Sequence, residues 1–495
     1  MSSTRPHIVL IMADQLRRDC IGSLGPGFAT TPNLDALLQE SVSFDNAYNS
    51  CPLCVPTRTS MYTGMWPHST GVIVNKGQIP EEYEHAILRS EYETLYERLA
   101  EFGYGINHVG VHHCHADRPV QERVDPVIFE AGEAWARRAG ELGLAPSMYY
   151  AYAMDHVRRN SVPTPNYRNG VPVPAFFPTP RAGMVYDGRP EDTIDGFWAD
   201  LAVGHIQKLD FSQPQFLETL FWAPHPPHLV PEPYASMYPP GNIPLPDSVG
   251  TWYDGQPGTL LLQTCGYLGS CANLEDFRVA WSRYLGLVTF VDHCIGKVVD
   301  ALKSRGIWDD SLVIFCADHG EMLGSHRLWE KHCHYEEAAH IPLCVKPPAG
   351  GVKEPPHSRG EDPPEPQRRS QLAGHIDVAP TICDYAGIPR APAYQGTSLR
   401  PVVEDSQVVI REELCMEYNG DHGRGPHTRA IVGRRAGSLY KLIHTVGDKE
   451  ELYDLSADPE ETTSLIDHGQ FQHIVTELRN ALKAWGRETG DFIEI

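Results

Sequence analysis

"HIVLIMAD", residues 7–14, is an unbroken apolar run that ends on a carboxylate. A strand covered on one face alternates apolar with polar residues, whereas a strand buried on both faces, as in a parallel sheet, does not. Two later stretches repeat the pattern, "QFLETLFWA" (215–223) and "SLVIFCAD" (311–318). Segments of helical periodicity lie between them. "NLDALLQE" follows Thr31-Pro32, "ETLYERLAEFG" closes on Gly103, and "RYLGLVTFVDHCIGKVVDALKSRG" closes on Gly306. Strands alternating with helices predict an α/β fold with a large, doubly wound mixed sheet flanked by helices. Ligands of such sheets sit at the carboxyl ends of the strands. Asp14 and Asp318 both stand at such an end.

The chain changes character further on. Residues 346–370 are rich in Pro, Gly and charge and read as an exposed loop. "HIDVAPTICDYAG" (375–387) is helical in pattern, and "SLYKLIHTVGDKEELYDL" reads as two strands about a Gly-Asp turn, an antiparallel hairpin. A terminal helix is expected around 471–487. We therefore expect an α/β catalytic domain over 1–371 and a smaller C-terminal α+β subdomain over 372–495. The Tyr-, Pro- and Arg-rich stretch 140–200 reads as long loops, and loops at 115–200 and 230–275 are expected to form the rim of a pocket.

Bulk properties exclude several classes. The 495 residues are 41% hydrophobic and 21% charged, with a net charge of −23. That balance argues against a nucleic-acid surface. No apolar run approaches the roughly 18 residues needed to span a membrane. The N-terminal apolar run is too short for a secretory signal, so a cytoplasmic location is expected. Most of the twelve cysteines are then expected to be reduced core residues.

"NSCPLCVPTRTSMYTG" (49–64) places Cys54 in Cys-x-Pro-x-Arg, three residues after Cys51. Taken alone, the pair Cys51/Cys54 fits a redox couple, half of a zinc site or a catalytic nucleophile. No second Cys pair at similar spacing completes a zinc ribbon, and no small thioredoxin-like context surrounds the pair.

"CVPTR" with "TSMYTG" resembles the sulfatase signature, whose cysteine is oxidised after translation to formylglycine. Further matches follow in order. "IVLIMADQ" looks like the family's opening metal strand, "WAPHPPHLVPEPY" its Pro-His-x-Pro loop, and "CADHGEMLGSHRLWEK" its second metal strand and following lysine. "ELYDLSADPEETTSL" is similar to its closing segment. The chain thus resembles the formylglycine-dependent sulfatases of the alkaline-phosphatase-like superfamily, near the branch of phosphonate monoester hydrolases and choline-sulfatase-like enzymes.

The resemblance implies hydrolysis of sulfate monoesters, arylsulfatase-like, with one divalent metal ion. Asp14, Asp318 and His319 would hold that ion together with residue 54, with Gln15 as a further candidate ligand. Gln15 stands where many members carry a second Asp, and His319 where many carry Asn, which makes Mn²⁺ or Mg²⁺ as reasonable as Ca²⁺. An aldehyde at position 54 hydrates to a diol. One hydroxyl, acidified by the metal, attacks sulfur, and the second lets sulfate leave as the aldehyde reforms. Arg58 is expected to pair with the diol oxygens and the metal carboxylates, Lys331 to contact sulfate, and His225 to contact sulfate or protonate the leaving oxygen. His113 matches a family histidine near the nucleophile, whereas Val111 replaces a family lysine, so one cation of the anion pocket is missing or comes from elsewhere. His112 and Asn75 are further candidates for substrate contact, and His228 is expected to pack.

The main rival is a phosphonate monoester or phosphodiester hydrolase using the same site. A non-catalytic anion-binding relative and a zinc-thiolate structural protein are the others. Expected partners are the small ester substrate, a formylglycine-generating enzyme during maturation and further copies of the chain in a homo-oligomer; nucleic acid and membrane are not expected.

Overall fold

The three stretches that read most clearly as buried strands are neighbours at the centre of one sheet. The structure, a computed structural model, describes residues 5–75, 85–124, 127–130, 133–142, 162–168, 171–177, 183–349, 367–420 and 426–495. The sheet's strands are β1 (His7–Ala13), β2 (Val42–Tyr48), β3 (Gly105–Gly110), β4 (Val127–Glu130), β5 (Gln215–Phe221), β6 (Ser311–Ala317), β7 (Leu343–Lys346) and β8 (Gln367–Gly374). Their spatial order is β8-β2-β7-β6-β1-β5-β3-β4. β1 pairs in parallel with β6 on one side and β5 on the other. β7 alone runs against its neighbours β6 and β2. The sheet is therefore mixed, as expected.

Helices flank the sheet. α1 (Pro32–Gln39), α2 (Cys54–Thr63), α3 (Ile194–Lys208), α4 (Leu274–Ser304) and α5 (Val378–Ala386) follow in chain order. α4 is long because its start is well capped. Asn273 accepts from the backbone N–H groups of Glu275 and Asp276, and Asp276 accepts in return from Asn273. α4 packs on α1 and α3, while α5 packs on α2. Each fully buried Leu or Ile of these elements contributes about 1.5–3 kcal/mol.

Two expectations along the chain are corrected. The stretch 346–370 is not wholly a loop, because Lys346 closes β7 and Gln367 opens β8; residues 350–366 lie outside the described residues. β8 hid because it is charged. Arg369 is buried, with its guanidinium on the carbonyls of Val402 and Val403, and Arg368 pairs with Asp45 of β2 at 2.8 Å. The expected division at residue 371 also falls inside β8, and the main core continues to Val403. Much of the loop region 140–200 lies outside the described residues.

The C-terminal sheet is antiparallel: β9 (Glu413–Tyr418), β10 (Thr428–Arg435), β11 (Ser438–Thr445) and β12 (Glu451–Asp454), in that order. The hairpin expected at 438–455 is its β11–β12 pair. The final helix α6 (Gln472–Thr489) lays Ile474, Val475, Leu478 and Leu482 into this second core. Among the described residues no helix is long and apolar enough to cross a membrane.

Candidate active site

Register explains how two carboxylates some 300 residues apart become neighbours. Ala13 lies opposite Ala317 in the β1–β6 pair, so Asp14 and Asp318 leave the sheet side by side. The backbone N–H groups of Gln15 and His319 both donate to Asp318 Oδ1 at 2.9 Å. The β2-to-α2 connection brings Cys54 to the same edge as the first residue of α2. Arg58 follows one helical turn later, on the same face. Its Nη2 donates to Asp14 Oδ2 at 2.7 Å, its Nε to Asp318 Oδ2 at 2.9 Å and its Nη1 to the Val111 carbonyl at 2.6 Å. All three ionic side chains are fully buried. The spacing Cys-x-Pro-x-Arg thus sets a reactive side chain and its carboxylate clamp one turn apart. Arg58 reaches the carboxylates, as expected, but not Cys54.

Val111 stands where the resemblance would place a lysine. Its backbone does the work there: the carbonyl clamps Arg58. The turn is made possible by Gly110 (φ 114°), where a Cβ would lie 1.9 Å from the Leu220 carbonyl oxygen.

One donor set gathers at this edge. Oxygens of Asp14 and Asp318, Nε2 of His319 and Sγ of Cys54 all lie within 4.8 Å of one another. His319 Nε2 is 3.0 Å from Cys54 Sγ, 3.9 Å from Asp14 Oδ1 and 3.7 Å from Asp318 Oδ1. His319 Nδ1 faces the Gly320 carbonyl at 2.9 Å, so this nitrogen carries the proton and Nε2 turns its lone pair into the cluster. Burial lowers the His319 pKa to about 3, which keeps the ring neutral. Burial and neighbouring Asp318 raise Asp14 to about 7. Burial also works against ionised Asp318, but Arg58 and the backbone N–H groups of His319 and Gln15 outweigh it and hold this carboxyl well below its usual range. Two carboxylates and a neutral imidazole, all buried, fit a hard or borderline divalent cation. Burial and Asp14 push the Cys54 thiol well above its usual range, so an unaltered thiol is a poor nucleophile among these protein groups.

The other sequence candidates divide. Lys331 is 3% exposed and donates to Gln15 Oε1 at 2.6 Å; its Nζ also lies 3.4 Å from Cys54 Sγ and 3.2 Å from His225 Nε2. His225 Nδ1 donates to the Pro226 carbonyl at 2.6 Å, leaving Nε2 as the acceptor toward Lys331. Burial and Lys331 hold the His225 pKa well below its ordinary value. His113 Nδ1 lies 3.8 Å from Asp14 Oδ2, and its side chain is 25% exposed. Gln15 is at the site, but its amide is engaged by Lys331 and by Glu321.

His112 is corrected: it turns the opposite way from His113, into a cluster with Tyr62, Tyr96 and His108. That divergence also argues against a zinc cluster at 112–115. Asn75 is reassigned as well, because its Oδ1 accepts from the Val55 N–H at 3.0 Å and so satisfies the first turn of α2. His228 is a packing residue against Tyr284 and Trp329. Cys51 packs with Leu53 and Tyr418, all twelve cysteines are free, and all but Cys271 are buried.

Sequence reading missed three supports. Asp195, fully buried at the start of α3, accepts from the N–H groups of Trp222 at 2.6 Å and Ala223 at 3.1 Å, fixing the loop that carries His225. Thr57 and the Ala317 carbonyl bracket His375 at 2.7 and 2.8 Å, tying α2 to the end of β6. Glu321 accepts from Gln15 Nε2. Only Glu321 was within reach of the sequence, as the fourth letter of "DHGE"; the other two depend on contacts across the fold.

Residues 6–388 match the sulfatase family, and residues 324–488 match a second family described as N-sulphoglucosamine sulphohydrolase, C-terminal. The chain is 26% identical to an arylsulfatase of Clostridium perfringens, over 98% of this chain and 96% of that one. It is 27% identical to a choline-sulfatase of Rhizobium meliloti, over 99% and 89%. Its fold is similar to that of a phosphonate monoester hydrolase of Agrobacterium radiobacter, with a TM-score of 0.74 at 22% identity, covering 97% of this chain and 96% of that one.

Proposed function

Because the chain belongs to the sulfatase family, whose members hydrolyse sulfate esters, we propose that it cleaves sulfate monoesters, arylsulfatase-like, with a formylglycine made from Cys54. The observation that carries this reading is the meeting of Cys54 with Asp14, Asp318 and His319 in one buried cluster, beside Lys331. A divalent metal, Mn²⁺ or Mg²⁺ or Ca²⁺, held by Asp14, Asp318 and His319, would acidify an oxygen nucleophile at position 54.

The protein's own groups then have definite tasks. Arg58 holds the two carboxylates in place from behind. Lys331 offsets negative charge on the transferred group, a task suited to a preorganised cation in a dry site. His225 presents Nε2 as an acceptor, so it takes up a proton first and then gives it to the departing oxygen. His113, whose side chain is 25% exposed beside Asp14, contacts the substrate. The reading includes oxidation of Cys54 by a formylglycine-generating enzyme, a cytoplasmic location and self-association; fractionation and light scattering test the last two.

A second reading has its own support. With Val111 in place of a lysine, the anion pocket has Lys331 as the cation touching position 54 among the described residues. A pocket with one such cation suits a singly charged group, which phosphonate monoesters and phosphodiesters share with sulfate monoesters. We therefore include activity on these phosphorus esters, and expect poor turnover of doubly charged phosphate monoesters. The test is side-by-side turnover of an aryl sulfate, an aryl phosphonate and an aryl phosphate, with peptide mass spectrometry over residues 49–58. Fully active enzyme in which Cys54 remains a thiol would overturn the formylglycine mechanism.

A further inference from the structure

Gln15 is held as a side chain with a task rather than as a turn residue. It has a left-handed backbone (φ 64°), which costs a non-glycine residue about 1–3 kcal/mol. Its backbone is fixed at both ends: the N–H donates to Asp318 Oδ1 at 2.9 Å, and the carbonyl accepts from Tyr284 Oη at 2.6 Å. Its amide lies between an ammonium and a carboxylate, both buried. Lys331 can only donate, so the amide has one orientation: oxygen toward Lys331, nitrogen toward Glu321. Glu321 is itself fully buried, and its other oxygen accepts from the Leu323 N–H at 3.1 Å. A continuous line of hydrogen bonds therefore runs from the 321–323 loop through Gln15 to Lys331, and from Lys331 to Cys54 and His225.

The geometry points to Glu321 as a positioning residue: it orients the Gln15 amide so that its oxygen faces Lys331, and thereby fixes the Lys331 ammonium against Cys54 and His225. Removing Glu321's acceptor frees the amide to turn its NH₂ toward Lys331, where two donors collide. Lys331 then loses its anchor beside Cys54 and Asp14, two members of the donor set that would hold the metal. The inference rests on the reading of Lys331 as the group that meets the transferred anion.

The test is a cycle of Glu321→Gln, Gln15→Glu and the double variant, which exchanges amide and carboxylate, reverses the bond between them and still offers an oxygen to both Lys331 and the Leu323 N–H. We expect Glu321→Gln to lower kcat/KM for the preferred aryl ester about 10–100-fold, mainly through kcat, and to weaken Mn²⁺ binding measured calorimetrically by a similar factor. Gln15→Glu alone sets two carboxylates face to face and should lose as much. The double variant should regain at least tenfold over the product of the two single effects. Glu321→Gln within twofold of the parent in both kcat/KM and Mn²⁺ affinity, or a double variant equal to that product, would overturn the assignment. If Glu321→Gln does not fold, a folded, Mn²⁺-binding double variant supports the chain of bonds, and an equally unfolded one overturns it. If the parent turns over no ester, the proposed function fails on its own, and the Mn²⁺ arm still decides the role of Glu321.

Discussion

Among the described residues two clusters bury one cation between two carboxylates, and they have opposite fates. Beside the C-terminal sheet, Lys441 contacts Glu336 at 2.6 Å and Glu461 at 2.9 Å. That cluster closes on itself: Lys441 also donates to the His334 carbonyl, the Glu336 N–H donates to Glu461 Oε2, and His340 takes another oxygen of Glu336. At the strand ends Arg58 likewise bridges Asp14 and Asp318, but it uses only their Oδ2 atoms. Their Oδ1 atoms remain turned toward His319, one of them also toward Cys54. A buried ion pair is weak evidence of stability in itself. The oxygens it leaves over separate a tie between lobes from an instrument of chemistry.

That contrast can be broken at either end. Cys54→Ala should lower kcat on an aryl sulfate by at least about 10⁴-fold, with the melting temperature nearly unchanged; retained turnover would place the chemistry elsewhere. Lys331→Ala should cost about 10²–10³-fold in kcat, again in a folded protein. Lys441→Met should do the reverse, because it strands two carboxylates. Denaturant unfolding should show about 3–5 kcal/mol of lost stability while kcat per folded molecule stays the same. The smallest effect concerns Glu451, a buried neighbour of that second cluster that accepts from the hydroxyls of Tyr335 and Tyr453. Burial raises its pKa to about 7, above the ordinary 4.5, despite those two hydrogen bonds. The folded state therefore favours the neutral acid. This contribution is fully present below pH 4.5 and is lost as pH rises through about 7. Glu451→Gln should accordingly raise the melting temperature relative to the parent at pH 8 but not at pH 4; an equal shift at both values would refute the assignment.

The sequence revealed the centre of the sheet and hid its edges, for a physical reason. β1, β5 and β6 are covered on both faces and so read as apolar runs. β2 carries Asp45 and Asn46, and β8 carries two arginines answered by distant carbonyls and by Asp45, so neither announces itself as a strand. At the site, residues fixed by strand ends or by one helical turn, namely Asp14, Cys54, Arg58, Asp318 and His319, stood where the motifs placed them. His112 did not, because neighbouring residues after β3 point opposite ways and only the packing of Tyr62 and Tyr96 decides which one faces inward. Asp195 and His375 act across more than two dozen and more than 300 residues of chain, distances at which local pattern carries no information.

Cys54 is 2% exposed, and the groups that enclose it include Asp318, His319 and Lys331 from far along the chain. If Cys54 is oxidised as proposed above, the oxidising enzyme has to reach that sulfur before these parts assemble. Its opportunity is the nascent polypeptide, after the ribosome has released residue 54 and before it reaches residue 331. At roughly 5–20 residues per second that interval is about 15–50 s. On that reading the yield of competent protein would be set by a race between translation and maturation, and slowing synthesis should raise it.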